Sequence, residues 1–310
     1  MAAPSGVCPA LVGPTAAGKT ALVTALAGRL PLEVISLDSR QIYRGLVIGT
    51  AQPTAAERAL CPHHLIDCVD PDERYSAQRF RTDFTQVHRE IIARGGVPLL
   101  VGGAGLYLTA LREGFMAIPG HSPERLAEVR AELAPLDDRA VRARLAQVDP
   151  QAHRRIHAGD RVRSQRALEV CLVSGRTLTA LQADQRPDPA LGLAFPAYVL
   201  EREVAELDAR IAGRTAAMLA GGWLEETRGL LRRYRPDGPG LSSIGYREVV
   251  AHLRGELPAD ALAPAVVRAT RQYAKRQRTW FRHVEAAGRF PPDDPALREA
   301  LAAALSGPAA

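Results

Sequence analysis

Eight consecutive residues, Gly13-Pro14-Thr15-Ala16-Ala17-Gly18-Lys19-Thr20, fit the pattern G-x-x-x-x-G-K-[ST]. Glycines at this spacing let backbone N–H groups turn inward around phosphate oxygens, the lysine adds a cation, and the threonine hydroxyl can ligate Mg²⁺. Only Lys19 and Lys275 among the 40 basic residues are lysines, and one stands where the pattern needs it. The loop does not distinguish a nucleoside triphosphate from a bare diphosphate ester, because both present similar oxygens. A phosphoryl-transfer enzyme would also need an aspartate at the end of a nearby strand for its metal. The apolar run at 97–101 instead leads into Gly102-Gly103, and Leu65-Ile66-Asp67 is the weaker candidate. Asp38 follows another apolar run. There it could ligate Mg²⁺ through water, accept a proton from a nucleophile, or simply close a turn.

A second chemistry lies near the other end of the chain. Arg268, Arg271, Lys275, Arg278 and Arg282 step by three, four, three and four, and so share one helical face. Val266, Tyr273, Trp280 and Val284 share another, and Glu285 is the only acid between Pro264 and Arg289. Solvated faces usually mix their signs, so this stripe is read as tracking a phosphodiester backbone. Tyr273, Trp280 and Phe281 either stack on bases or pack in the core. Arg154, Arg155, Arg161, Arg163 and Arg166 form a further basic cluster, and two separated basic surfaces imply a large anion. Cys61-Pro62-His63-His64, with Cys68 nearby, lacks a familiar zinc spacing, so packing is the better reading.

These side chains need a scaffold. Ala10-Leu11-Val12 reads as a buried strand before the glycine loop, with Pro9 at or before its start, and Ala21 to Leu30 as the helix after it. Glu33 to Leu37 reads as a second strand. Ser76 caps a helix carrying Phe80, Phe84, Val87 and Ile91 on one face and ending at Gly95-Gly96, and Val97 to Val101 forms another strand. This alternation predicts a parallel α/β sheet with ligands at the carboxyl ends of its strands. Helical spacing and an Ala/Leu/Arg/Asp/Glu texture over 123–186 predict an inserted helical domain. Leu193 to Leu200 returns the chain to the sheet, and helices follow near 203–220, 222–234 and 264–286.

At 310 residues the chain is long enough for about two domains of ~150 residues. Its 46% hydrophobic and 24% charged residues are those of a folded globular protein. No apolar run approaches the ~18 residues of a membrane span. The N-terminal residues do not read as a leader, and four irregularly spaced cysteines fit a reducing compartment, so a cytoplasmic location is expected. The net charge of +6 suggests an anionic partner without identifying it.

Together these blocks resemble the tRNA dimethylallyltransferase (tRNA isopentenyltransferase) family. The resemblance runs through GPTAAGKT, ISLDSRQIYRGLVIGTAQPT from Ile35, HHLIDCVDP from His63, Tyr75-Ser76, PLLVGGAGLYL from Pro98, RALEV from Arg166, IGYREV from Ile244 and ATRQYAKRQRTWFRH from Ala269. It implies a P-loop NTPase-like parallel sheet core over 1–116 and 193–310, with a helical tRNA-binding insertion over 117–192. It further implies a monomer that binds dimethylallyl diphosphate with Mg²⁺, grips a tRNA anticodon arm and touches no membrane. The dimethylallyl group would pass to the exocyclic N6 amine of the adenine just 3′ of the anticodon, releasing diphosphate.

By the same resemblance Asp38 would be the general base or acceptor for that amine. Lys19, Thr20 and Arg214, the last in RIAGR at 210–214, would offset charge developing on the diphosphate. Ser39, Arg40 and Gln41 would lie against the nucleotide. Further tRNA contacts fall to Arg125, Arg163 and Arg166, to Gly245, Tyr246 and Arg247, and to Arg271, Lys275, Arg276, Gln277, Arg278, Trp280 and Arg282. Three positions depart from the family pattern: Ala104 where a threonine is usual, Val162 where a glutamine is usual, and a displaced arginine at Arg125. Two rivals are a small-metabolite P-loop kinase, and a nucleotide-gated RNA binder that leaves RNA unmodified.

Overall fold

Strands that are apolar at successive positions have no face for water, so they require a sheet covered on both sides. The computed structural model describes residues 6–28, 30–116, 118–184 and 191–306. The chain begins with β1 (Gly6–Val7), β2 (Ala10–Val12), α1 (Lys19–Ala27), β3 (Leu32–Leu37), α2 (Ala55–Leu60), β4 (His63–His64), α3 (Ala77–Ala93), β5 (Val97–Gly102) and α4 (Gly105–Glu113). A helical segment follows as α5 (Pro123–Leu133), α6 (Asp138–Val148), α7 (Pro150–Arg155), α8 (Arg161–Ser174) and α9 (Leu178–Asp184). The chain closes with β6 (Leu193–Ala194), β7 (Ala197–Leu200), α10 (Val204–Ala220), α11 (Trp223–Leu231), α12 (Tyr246–Leu253), α13 (Ala259–Arg282), β8 (Gly288–Phe290) and α14 (Pro295–Leu305).

Six strands form one parallel sheet in the order β4-β3-β5-β2-β7-β8. All six residues of β3 are buried, as a central strand covered on both faces demands. Alternate residues go to opposite faces. Ile35, Leu37, Leu100 and Val199 pack with Phe80 and Phe84 of α3 and Leu108 and Leu111 of α4. Leu11, Val34, Leu99 and Tyr198 pack with Leu22, Val23 and Leu26 of α1 and Leu297 and Leu301 of α14. Ser76 accepts a hydrogen bond from the Arg79 amide to start α3, as its position before the helical run predicts.

The two prolines produce a matched break. Pro9 separates β1 from β2, Pro196 separates β6 from β7, and the two-residue strands β1 and β6 pair with each other outside the main sheet. The single strand expected over Leu193 to Leu200 is therefore two short ones. Ala10 still donates to the Pro196 carbonyl at 2.9 Å, and Leu100 to the Pro9 carbonyl at 2.9 Å. Each proline lacks only a donor, so the sheet keeps its acceptors.

Contacts divide the chain into one unit of residues 1–112 with 189–310 and a second of 113–188, each boundary four residues before the expected one. Within the second unit, Ser122, Asp137, Asp149 and Asp160 cap successive helices by accepting from amides three residues on. Val129, Leu133, Val141, Leu145, Ala152 and Leu168 form its core. Among the C-terminal helices α13 is the largest correction: it runs from Ala259 rather than 264, takes Pro264 inside its early turns, and stops at Arg282. No helix of the described residues is long and apolar enough to cross a membrane.

Candidate active site: a braced phosphate loop facing Asp38

The loop leaving β2 enters α1 through Gly18, which offers no side-chain cap to the helix amides. Uncapped N–H groups at a helix start favour an anion there. Gly13 has φ 151°, and a Cβ on it would meet the Leu200 carbonyl oxygen at 2.7 Å, so the neighbouring strand leaves no room for a side chain. Lys19 folds back over this loop, and its Nζ donates to the carbonyls of Gly13 at 2.9 Å and Pro14 at 2.8 Å. Burial pulls the Lys19 pKa down to about 8; Asp38 opposes the fall and Arg214 adds to it.

The loop is braced from two helices. Arg214 donates to the Thr15 hydroxyl at 2.7 Å, and Arg210 to the Ala16 carbonyl at 2.9 Å. Arg202, just before α10, donates to the Ala17 carbonyl at 3.2 Å. From α13, Gln277 accepts from the Thr15 amide at 2.8 Å and donates to the Gly103 carbonyl at 3.0 Å, which ties the loop to the end of β5. Burial also lowers the Arg214 pKa, with Asp38 acting against it. Lys19, Arg210 and Arg214 thus spend their hydrogen bonds on carbonyls and a hydroxyl, whereas Arg202 also pairs with Glu206.

A cavity of about 640 Å³ joins the loop to Asp38, Gln41, Arg214 and Tyr273. Asp38 sits at the end of β3, where its Oδ1 accepts from the Arg40 amide at 2.8 Å and the Gln41 amide at 3.3 Å. The turn role and the cavity position expected for Asp38 coexist, because both bonds fall on one oxygen. Gln41 donates to the carbonyls of Thr50 at 3.3 Å and Ala51 at 2.9 Å, and those residues form the cavity wall facing the loop. Burial raises the Tyr273 pKa and the Asp38 charge adds to the rise, so the phenol stays protonated beside the carboxylate. Thr20, whose hydroxyl the sequence assigns to a metal, is exposed in the first turn of α1 on the same cavity. Ser39 lies half-buried next to Asp38, and Arg40 reaches the Pro239 carbonyl at 3.2 Å. Asp67 is turned to other work, accepting from the Gly45 amide at 2.7 Å.

Three residues expected on an RNA face are internal. Gln277 is only 5% exposed and braces the loop, because its position on α13 faces the sheet end rather than the stripe. Gly245 and Tyr246 are buried against Trp223. Arg247 stays exposed and pairs with Glu248 at 2.6 Å. Lys275 and Arg276 are exposed, with Arg276 over the Tyr273 ring at 5.8 Å. Arg271 pairs with Asp208 at 3.3 Å. Arg278 and Arg282 border a second cavity of about 500 Å³ on another side of the loop, with Phe281 and Pro292 in its walls. Trp280 is 38% exposed and lies over Gly105. In the inserted unit Arg125, Arg163 and Arg166 pair with Glu128, Asp160 and Glu169. Sequence reasoning missed Arg202 and Arg210 as braces; Arg202 follows the strand beside the loop strand, and Arg210 lies one helical turn before Arg214 on α10. The Cys-His segment is engaged in packing: His64 bonds Glu33 at 2.6 Å, and the buried Cys61 thiol faces the Leu32 carbonyl at 3.0 Å.

A glycine loop at the carboxyl end of a parallel sheet, with three arginine braces and a carboxylate across one cavity, defines a P-loop-like α/β protein. The sequence matches the family described as IPP transferase over residues 41–284, and that described as Isopentenyl transferase over 7–61. The chain belongs to this IPP transferase family. It is 49% identical over 278 residues to a tRNA dimethylallyltransferase of Bordetella parapertussis, covering 88% of each chain. It is 46% identical over 288 residues to one of Ralstonia nicotianae, covering 90% of this chain and 88% of that one. The crystal structure of a Bacillus halodurans tRNA isopentenylpyrophosphate transferase superposes with TM-score 0.69 at 34% identity over 97% of both chains. A eukaryotic dimethylallyltransferase captured acting on tRNA superposes with TM-score 0.75 at 27% identity over 89% of this chain and 70% of that one.

Proposed function

We propose that this protein transfers the dimethylallyl group of dimethylallyl diphosphate to the N6 amine of the adenine just 3′ of the anticodon in tRNA. The observation that carries the reading is the shared cavity of Lys19, Arg214 and Asp38, in a family whose relatives bear that activity in their names. In the reaction the amine nitrogen forms a bond to the allylic carbon as the carbon–oxygen bond to diphosphate breaks. The bonding pair leaves with diphosphate, and the amine proton passes to Asp38. Lys19, the loop amides and Arg214 stabilise the charge that grows on the leaving group. Asp38 Oδ1 is fixed by two amides, so the carboxylate meets the amine in a set orientation. The target adenine must leave its stack to enter the cavity, at a cost of a few kcal/mol offset by basic contacts to the RNA.

Magnesium fits the donor set here. No group of three or more His, Cys, Asp or Glu side chains among the described residues forms a metal cage, while Thr20 and Asp38 both border the cavity. Mg²⁺ is usually held by one or two protein oxygens together with substrate phosphates and water. Thr20 would hold the ion together with the diphosphate and water, and when bound it supplies positive charge to the diphosphate. The protein is read as a cytoplasmic monomer that binds tRNA without a membrane.

Mass spectrometry of tRNA incubated with the protein, dimethylallyl diphosphate and Mg²⁺ tests the reading. The expected product is a single dimethylallyl addition on that adenine. Phosphate transfer from ATP to a small molecule would instead support a kinase, and bound but unmodified tRNA would support a non-catalytic binder.

A further inference from the structure

Thr50 and Ala51 line the cavity at the end of a short segment without regular structure, and the three residues before them are held at successive amides. Val47 and Ile48 donate to one oxygen of Glu226 at 3.1 Å and 2.8 Å. Gly49 donates to the Tyr246 hydroxyl at 3.1 Å, and that hydroxyl donates to the other Glu226 oxygen at 2.5 Å. One carboxylate and one phenol on α11 and α12 therefore gather consecutive N–H groups of a loop about 180 to 200 residues away in sequence. Trp223 seals the arrangement: it is 1% exposed, and a Cβ on Gly49 would collide with its indole ring. Burial and the Glu226 charge both raise the Tyr246 pKa, so the phenol keeps the proton it donates.

The same segment is tied on its other side to the catalytic strand. The carbonyls of Thr50 and Ala51 accept from the Gln41 side-chain nitrogen; the side-chain Oε1 of Gln41 accepts from the Ser36 hydroxyl at 3.2 Å, and the Gln41 backbone amide donates to Asp38. Ala51 holds φ 51°, a left-handed conformation unusual for a residue with a Cβ. Such a conformation persists only where surrounding contacts enforce it. The continuous path is Glu226 and Tyr246, the segment at 47–51, Gln41 and then Asp38.

We infer that Glu226, with Tyr246, is a positioning residue: through segment 47–51 and Gln41 it fixes the cavity wall and the orientation of Asp38 while leaving the phosphate loop alone. This rests on the proposed prenyl transfer for its catalytic readout, but not for its structural one. Misplacing a catalytic group by about 1 Å can cost on the order of 10²-fold in rate. Gln41 sits one hydrogen-bonded step from the released segment, so Glu226→Ala lowers the turnover number by ~10-fold or more on that scale.

The test uses the full chain with Glu226→Ala, Glu226→Gln and Tyr246→Phe. Hydrogen exchange at amides 47–49 speeds up in Glu226→Ala, kcat for tRNA prenylation falls, and binding of inorganic diphosphate with Mg²⁺ stays at the wild-type value. Glu226→Gln, which keeps one acceptor oxygen, recovers part of both protection and turnover, and Tyr246→Phe exposes chiefly the Gly49 amide. Wild-type turnover in Glu226→Ala would overturn the inference. So would diphosphate binding that declines in step with turnover, since that marks general damage. If even the wild type prenylates no tRNA, the proposed reaction fails, while exchange and diphosphate binding still decide whether Glu226 holds the segment.

Discussion

The arginines nearest the phosphate-loop backbone and the paired arginines of the inserted helical unit have different partners. Beside the loop, Arg210 and Arg214 bond to a carbonyl and a hydroxyl rather than to a carboxylate, while Arg202 pairs with Glu206. In the insertion, Arg125, Arg161, Arg163, Arg166 and Arg176 are each matched by a carboxylate of the same unit. A half-buried cation held by a neutral oxygen, as Arg214 is, is prepared for one anion in one place. An exposed ion pair is worth only ~0–1 kcal/mol, so a phosphate can displace its carboxylate at little cost and with little gain. Net charge thus says little about where an anion binds; the identity of each cation's present partner says more.

The strongest way to break this contrast is at the cavity. Asp38→Asn keeps size and polarity but removes the basic oxygen. With both substrates saturating, single-turnover prenylation falls ~10²-fold or more, the usual share of general-base catalysis. Donor and tRNA affinities stay close to wild type. Near wild-type turnover would move the adenine away from β3 and remove the base from the cavity.

Next in size is the cation. Lys19→Ala abolishes donor binding while leaving tRNA affinity largely intact. In the wild type, the Lys19 pKa of about 8 gives the loss a pH window. As pH rises through that value the lysine loses its proton, and kcat/KM for the donor falls by up to ~10-fold per unit above it. Stability moves the other way. The lysine is more acidic folded than unfolded, so between pH 8 and its ordinary 10.5 the unfolded chain binds more protons, and this group makes the fold more stable as pH rises. Activity lost in that window without loss of fold identifies the loop cation. A kcat/KM that stays level to pH 10 would show that Lys19 carries no leaving-group charge.

The stripe on α13 tests the middle of the range. Replacing Arg271, Lys275 and Arg278 together flattens the salt dependence of tRNA binding. Each lost phosphate contact lowers the log–log slope by ~0.7–0.9. Arg271 is already paired with Asp208, so the fall is expected near two contacts rather than three. A full three-contact fall would show that pairing does not mute an arginine, and would weaken the contrast between the units.

What the sequence reveals follows the same division between local and tertiary causes. The loop, β3, α3 and β5 are legible because spacing, caps and apolar runs are local properties, and Asp38 is legible because it ends a buried strand. Gln277 reads as one more polar residue in a basic stripe, and only the approach of α13 to Gly103 and Thr15 makes it a brace. Tyr246 is similar: its neighbours in sequence resemble a surface motif, and its burial depends on Trp223. β8 is three residues long and exists through its pairing with β7, so no periodicity announces it. For α14 a signal was present, with Asp294 before Pro295 as the cap and Leu297, Leu301 and Leu305 at intervals of four.

The smallest effect is the sharpest within the insertion, where two arginines three residues apart have different partners. Arg166 meets Glu169, which is 5% exposed and also reached by Arg130 at 3.3 Å. Removing Arg166 leaves that buried carboxylate with one cation, a loss of about 1 kcal/mol once the exposure of Arg166 is discounted. Arg163 has a 72% exposed side chain and meets Asp160 at 3.5 Å, while the Asp160 cap of α8 uses the Arg163 amide, which any residue supplies. Arg163→Ala therefore changes stability by less than ~0.5 kcal/mol. If Arg163 meets a tRNA phosphate, the same variant lowers the salt slope by ~0.7–0.9. Thermal unfolding and salt-dependent tRNA binding, measured on both variants, separate the roles: Arg166→Ala lowers the melting temperature and Arg163→Ala lowers only the slope. A slope unchanged in Arg163→Ala would make the insertion's arginines a scaffold of internal pairs, and would leave the RNA to the phosphate-loop unit.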